Sequence, residues 1–380
     1  MTKHTMQELV QMQSLPLDLK IDMTCNRIKA WIKEYGEDGV YISFSGGKDS
    51  TVLLDIVRNV CGYKNIPAMF VDVPTQYPEL KEFVKTFDNV DIIRPKISFA
   101  EVYEKYGFPI ISKEVSECVY GARKYARALA AELGAERERE RERERVSESL
   151  TDIFTENSQE LANMLNDKLV HRSGGSNLRL AKMLGWFTKD RDHPIKANIP
   201  SKDRSNFSQE KYKFFLDAPF EISNQCCNVM KKTPAHRYAK ETGRKPMTAQ
   251  MADESRIRMQ KWLQNGCNAF NANNPISNPM SFWKESDILQ YIYENDIPIC
   301  SVYGDVIKEG CNYKTTGCSR TGCVCCAFGA QCEKEPNRFQ QLHETHPGMY
   351  GLLDKIKNNG VTYREAIEWI NEHSDLDIKL

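Results

Sequence analysis

The sequence predicts an α/β protein with a doubly wound, mainly parallel sheet, and three observations carry that expectation. Short, largely apolar runs alternate with helix-patterned segments through the first third of the chain. The runs read as strands buried on both faces, as in a parallel sheet covered by helices. A glycine turn joins the first run directly to a helix.

Residues 17–35 open the series as an amphipathic helix, with Leu17, Leu19, Ile21, Ile28, Trp31 and Ile32 on an imperfect stripe that ends near Gly36. The period then changes. Gly39-Val40-Tyr41-Ile42-Ser43-Phe44 reads as a strand, followed by the glycine loop and a helix over residues 51–57. A second strand is expected at residues 66–72, a helix after Pro78, a third strand at residues 90–93 and a further helix from Phe99. Glu136 to Arg145 is a strict Glu-Arg alternation. As a helix it gains opposite charges at i+3 and suffers like charges at i+4, so it reads as a solvated helical extension or a linker. Residues 147–205 look like a polar insertion with about two helices. Residues 281–297 form another helix-like unit, with Ser281 or Ser286 as its cap and Ile288, Leu289 and Ile292 packing. These segments divide the chain into a nucleotide-binding core over 1–119, a helical and charged insertion over 120–205, a return to the core over 206–265, a helix with a cysteine-rich region over 266–340, and a helical tail over 341–380.

Lysine plus arginine equals aspartate plus glutamate at 52 each, so no global field draws the chain to a polyanion or an anionic membrane. The first residues lack the apolar core of a secretory signal, and no apolar stretch is long enough to span a bilayer, which places the protein in the cytosol by expectation. There the 13 cysteines are not expected to form a disulfide framework. Two of them adjoin at Cys226 and Cys227, and six crowd the segment from Cys311 to Cys332, a distribution that points to a metal site.

The loop Ser45-Gly46-Gly47-Lys48-Asp49-Ser50 carries the strongest chemical signal. Two glycines let backbone approach an anion without a Cβ in the way, and the helix start adds unpaired N–H groups and the positive end of its dipole. Ser45 and Ser50 add hydroxyls, and Lys48 adds a point charge. Such a nest suits a pyrophosphate or a sulfate. The spacing of a Walker A loop is absent, which disfavours a kinase or GTPase.

Phe44-Ser45-Gly46-Gly47-Lys48-Asp49-Ser50 resembles the PP-loop of the ATP pyrophosphatase (adenine nucleotide α-hydrolase) superfamily, and other motifs resemble its phosphoadenosine phosphosulfate (PAPS) reductase branch. The segment from Phe70 through Asp72 to Glu79 is similar to the branch's second-strand signature, with Val73 and Pro74 where Thr-Gly is usual. Cys226-Cys227-Asn228-Val229-Met230-Lys231-Lys232-Thr233-Pro234 resembles a Cys-Cys-x-x-Arg-Lys-x-x-Pro element, with Met230 in place of the arginine. Glu254-Ser255-Arg256-Ile257-Arg258 looks like a substrate segment, and the stretch from Pro279 to Pro298 is similar to a Trp-containing helix. The resemblance implies a PP-loop fold and an adenine nucleotide, ATP or else PAPS or adenylyl sulfate, bound with Mg²⁺. It implies nucleotide contacts from residues 45–50, Lys231, Arg258 and Arg320, and catalytic roles for Lys48, Asp49, Asp72 and Arg256.

Cys318-x4-Cys323-x2-Cys326 has a spacing that lets one loop place three thiolates at a metal, and Cys226 or Cys227 supplies a fourth. The resemblance favours a [4Fe-4S] cluster there, with Zn²⁺ as the alternative. Cys325 reads as a packing residue, as do Cys25, Cys61, Cys118, Cys267 and Cys300 in their apolar contexts. None of the seven histidines has a metal or nucleophile spacing.

Three functions are consistent with these motifs. The first is an enzyme that cleaves ATP between its α and β phosphates to activate an acceptor for sulfur transfer, with a nucleic acid or a sulfur-donor protein as partner. The second is a PAPS or adenylyl-sulfate reductase releasing sulfite, which the lack of a Glu-Cys-Gly-[Ile/Leu]-His segment disfavours. The third is a non-catalytic nucleotide-binding subunit of a larger assembly.

Overall fold

The computed structural model describes residues 3–137, 149–170 and 175–380. The Glu-Arg alternation from residue 138 onward lies outside the described residues. The chain divides into two compact units, one made of residues 1–96 and 229–323, the other of residues 97–228 and 324–380.

The first unit holds a six-stranded sheet. Its strands run in the order Val90–Ile93 (β3), Ala68–Val71 (β2), Val40–Ser43 (β1), Lys245–Met247, Ile276–Ser277 and Asn268–Ala269. All neighbouring pairs are parallel except the last, which is antiparallel. The expected doubly wound, mainly parallel sheet is therefore present, with β1 at its interior. Ile42 faces Ala68 on one side and Met247 on the other. Val40, Ile42 and Met247 have no exposed surface, as a strand covered on both faces requires.

Helices cover this sheet where the apolar stripes placed them. Leu17–Tyr35 buries Ile28, Trp31 and Ile32 and ends at Gly36, whose φ of 76° relieves the strain that a side chain would bear there. The helix after the glycine loop begins earlier than its apolar stripe, at Lys48, and runs to Asp55 before widening into a π turn over Ile56–Val60. The helix expected over 281–297 is shorter, Glu285–Glu294. Neither Ser281 nor Ser286 caps it: the Asp287 carboxylate accepts the Lys284 N–H at 2.7 Å and satisfies the first turn instead. Ser281 is buried and donates to the Cys267 sulfur at 3.2 Å.

The second unit is mainly helical. Lys113–Arg137 packs against Ser176–Leu184, with Leu150–Glu156 and Ser158–Val170 beside them, so the polar insertion contains three helices among its described residues where two were expected. Two short parallel strands, Ile110–Ile111 and Ala327–Phe328, join the insertion side to the C-terminal segment. Tyr363 fixes that junction, donating to the Pro109 carbonyl at 2.9 Å and accepting the Ala327 N–H at 3.1 Å.

Candidate functional site

The phosphate loop leaves β1 at Phe44 and turns at Gly46, whose φ is 73°. Glycine is required at this point for two reasons. The left-handed backbone disfavours a side chain, and a Cβ would come within 2.8 Å of Val84 and 3.1 Å of Leu80 on the helix Pro78–Lys85. Gly47 then caps the helix Lys48–Asp55 with no side-chain hydrogen bond to its first turn. The positive helix end is thereby left without a cap from its own N-cap residue, although the Gly47 N–H donates to Ser45 Oγ at 3.3 Å.

Serine hydroxyls hold the turn from within. The Ser45 N–H donates to Ser50 Oγ at 3.1 Å, the two Oγ atoms lie 3.0 Å apart, and Ser50 Oγ donates to the Gly47 carbonyl at 2.9 Å. Ser45 itself stays exposed while Ser50 is buried, so the first serine faces outward and the second braces the loop.

Two residues far along the chain close the other side. Tyr303 Oη accepts the Lys48 N–H at 3.3 Å and lies 2.6 Å from Thr321 Oγ1, and a Cβ on Gly47 would sit 3.2 Å from that same Oη. Burial pushes the Tyr303 phenol up to about 12, so it remains a neutral hydroxyl. Lys48 is only 4% exposed. Its Nζ donates to the Ser319 carbonyl at 2.9 Å and pairs with Glu285 Oε1 at 2.9 Å.

Asp49 is set apart from these networks. Its Oδ1 is buried with no hydrogen-bond partner among the described residues. Burial raises its pKa, Glu285 adds to the rise, and the charges of Lys48, Arg320 and Arg258 oppose it without cancelling it. Arg258 is half-buried and paired with Glu254, on a helix, Arg256–Asn265, that Ser255 caps by accepting the Arg258 N–H at 3.3 Å. Burial lowers the Arg258 pKa, while Asp49 supports the charge.

Of the residues singled out from sequence, the structure thus gathers Ser45, Gly46, Gly47, Lys48, Asp49, Ser50, Arg258 and Arg320 within mutual electrostatic reach. Asp72 has a different environment. It follows the carboxyl end of β2, bound to Lys81 at 2.8 Å and to Arg94 at 2.9 Å. Burial works against its ionisation, but those two hydrogen bonds and charges win and hold its carboxyl below the usual range. Arg256 is exposed at the first position of its helix, and Lys231 lies in the helical turn Asn228–Lys232. Tyr303, Thr321, Ser319 and Glu285 were not evident from sequence.

The cysteines divide between the two units. Cys318 and Cys323 belong to the first, Cys226, Cys227, Cys325 and Cys326 to the second. Within the second unit Tyr103 and Tyr363 are fully buried, and their phenols, already driven up by burial, are raised further by Cys226, Cys325 and Cys326. Cys325, expected to be a packing residue, is therefore close to the same phenols as two of the expected ligands. In the first unit Cys318 raises the thiol of Cys300, which burial has already pushed up. Among the described residues, no three His, Cys, Asp or Glu side chains are grouped so as to hold a metal ion. The thiolates expected at a metal are thus drawn from both units, and neither an iron-sulfur cluster nor zinc is shown. Cys311 and Cys332 are exposed. Cys118, Cys267 and Cys300 are buried as expected.

The model of the phosphoadenosine phosphosulfate reductase domain matches residues 39–126 and 189–327, spanning the loop, the Cys-Cys element, the Arg256 helix and the Cys318 segment. The chain belongs to this family. Members of the PAPS reductase domain family are in general enzymes that bind a nucleotide substrate. No curated protein matches the chain. A solved structure of phosphoadenylyl-sulfate (PAPS) reductase from Candida auris, in complex with phosphate, is similar over 78% of this chain and 90% of its own, at 12% identity and a TM-score of 0.34. So loose a likeness transfers no residue roles. Among the described residues no helix is long and apolar enough to cross a membrane.

Proposed function

We propose that this PAPS reductase domain protein binds ATP at residues 45–50 and cleaves it between the α and β phosphates, activating an acceptor for sulfur transfer. The observation that carries the proposal is the pre-formed cationic position at Lys48: a nearly buried ammonium at the start of an uncapped helix, beside two glycines. A pyrophosphate group seated there meets backbone N–H donors, a helix dipole and a fixed point charge together.

In the proposed step an acceptor oxygen attacks the α-phosphorus and the bond to the bridging oxygen breaks, its electron pair leaving with pyrophosphate. The loop retains that leaving group. Lys48 would exchange its bond to Glu285 for a phosphate oxygen, and Arg258 and Arg320 would offset the charge that develops. The orphaned Asp49 Oδ1 fits a cation, because a positive partner would relieve the cost that burial imposes on its ionised form. Asp49 is therefore the residue that would hold Mg²⁺, and the ion would neutralise phosphate charge there. Asp72 is already neutralised by Lys81 and Arg94 and is better suited to fixing the end of β2.

Incubation of the protein with α-labelled ATP and Mg²⁺, with and without candidate nucleic acids and a sulfur-donor protein, tests the reading. Pyrophosphate and an adenylated acceptor, which releases AMP when sulfur displaces the adenylate, are the expected products, abolished in Lys48→Met. Formation of neither under any of these conditions rejects ATP activation. The family match itself favours a second reading, sulfonucleotide reduction, and sulfite release from PAPS or adenylyl sulfate in the presence of thioredoxin would establish it.

A further inference from the structure

Cys25 and Cys61, which sequence reasoning treats as packing residues, meet sulfur to sulfur. Cys25 lies within the helix Leu17–Tyr35, and Cys61 follows the π turn Ile56–Val60 that extends the phosphate-loop helix. The wide turn packs against the Leu17–Tyr35 helix, and Cys61 Sγ donates to Cys25 Sγ at 3.0 Å. A disulfide bond is about 2.0 Å long, so bonding requires the sulfurs to close by only about 1 Å. Cys25 is 8% exposed and Cys61 is half-buried, so the pair sits just beneath the surface, within reach of a small oxidant.

We propose that Cys25 and Cys61 form a reversible dithiol–disulfide pair whose oxidised form closes a ring around β1 and the whole phosphate loop. The ring follows from chain order: the two cysteines are 36 positions apart, and everything from Val40 to the end of the loop helix lies between them. Its chemistry is suited to a peroxide. The hydrogen bond from Cys61 lowers the Cys25 pKa, burial opposes the change and Lys29 assists it, while the same pairing pushes the Cys61 thiol up. One sulfur is thus the nucleophile and the other the resolving thiol.

In the first step the Cys25 thiolate attacks one oxygen of hydrogen peroxide. The O–O bond breaks, and the departing hydroxide recovers the proton that Cys25 gave up and leaves as water, with Cys25 now a sulfenic acid. In the second the Cys61 thiol attacks Cys25 Sγ, the S–O bond breaks, and the Cys61 proton leaves with the hydroxide as a second water. Two thiols have lost two electrons and two protons, and one peroxide has become two waters. A dithiol reductant reverses the bond by exchange.

The test treats the intact protein with graded hydrogen peroxide, alkylates the remaining thiols and maps peptides by mass spectrometry. The expected result is a peptide joining Cys25 to Cys61, lighter by two hydrogens than the reduced pair, appearing before other cysteine products and disappearing with dithiothreitol. Recovery of both cysteines alkylated and unlinked, at peroxide doses that oxidise other thiols, overturns the proposal. In Cys61→Ser the resolving thiol is gone, so Cys25 should proceed to sulfinic acid at doses that give the disulfide in the unaltered protein. A Cys25 that stays reduced in that variant also overturns it, and neither readout depends on nucleotide turnover.

Discussion

Lys48 Nζ and Glu285 Oε1 lie 2.9 Å apart at the mouth of the phosphate loop, one side chain almost wholly buried and the other 47% exposed. The lysine is fixed by its surroundings, whereas the glutamate reaches it from the surface and can withdraw. Glu285 therefore competes with any phosphate for the same ammonium. Glu285→Gln should tighten polyphosphate binding a few-fold, since exposed ion pairs contribute only about 0–1 kcal/mol. Lys48→Met should weaken it by ~10- to 100-fold, the loss of a charge-assisted hydrogen bond worth roughly 1.5–3 kcal/mol. Calorimetric titration with ATP measures both, and equal effects of the two variants would contradict the competition.

The two loop glycines should differ in what they tolerate. Gly46→Ala meets both the positive φ and the 2.8 Å contact with Val84, and should cost about 1–3 kcal/mol in denaturant unfolding. Gly47→Ala has an ordinary extended φ of −76° and meets the Tyr303 hydroxyl at 3.2 Å. It should cost less than about 1 kcal/mol in stability, yet weaken nucleotide binding by holding backbone away from the phosphate.

Asp49 predicts an unusual pH dependence. Its folded-state pKa lies above its ordinary 3.8, so the folded protein holds the proton more tightly than the unfolded chain does. The resulting penalty is absent below 3.8, grows as pH rises towards the folded value and is complete above it. Asp49→Asn should therefore stabilise the protein near neutrality by on the order of 1 kcal/mol, with the gain shrinking towards acid pH. The same variant should lose any Mg²⁺ enhancement of ATP binding. Thermal denaturation across pH, paired with titrations with and without Mg²⁺, reads both effects.

Asp72 predicts the opposite trend. Its folded pKa is held below 3.8 by Lys81 and Arg94, so its stabilising contribution is present above 3.8 and disappears as pH falls through the folded value. Asp72→Asn should lose about 0.5–1 kcal/mol near neutrality and progressively less in acid. If Asp72 were instead a magnesium ligand, its substitution would change the Mg²⁺ dependence of ATP binding, which Asp49→Asn alone is expected to do.

The loop could be read from sequence because everything that defines it is local: an apolar strand, two glycines and a helix follow one another between Val40 and Asp55. Its supports could not. Tyr303 and Ser319 meet Lys48 across 255 and 271 positions, and no spacing rule links residues so far apart. Arg258 and Arg320 were accessible only through motif resemblance, since an arginine on a helix or in a loop carries no signal of what it will face. The cysteine spacing is a local signal of another kind. It describes one stretch of chain, but that stretch crosses between compact units after Cys323. Cys25 and Cys61 were hidden by their apolar neighbours, which fit a small core residue as readily as a reactive pair.

The order of strands in the sheet also sets a timetable. β1 needs a partner on each side, and β2 follows soon after it, but its other partner, Lys245–Met247, lies beyond the entire segment 97–228. During synthesis β1 thus waits with one edge bare while most of the second unit is made. The loop that this strand delivers cannot be fully framed until Tyr303 and Thr321 have emerged, later still. Nucleotide binding should therefore not appear in the nascent chain before Thr321 has been made.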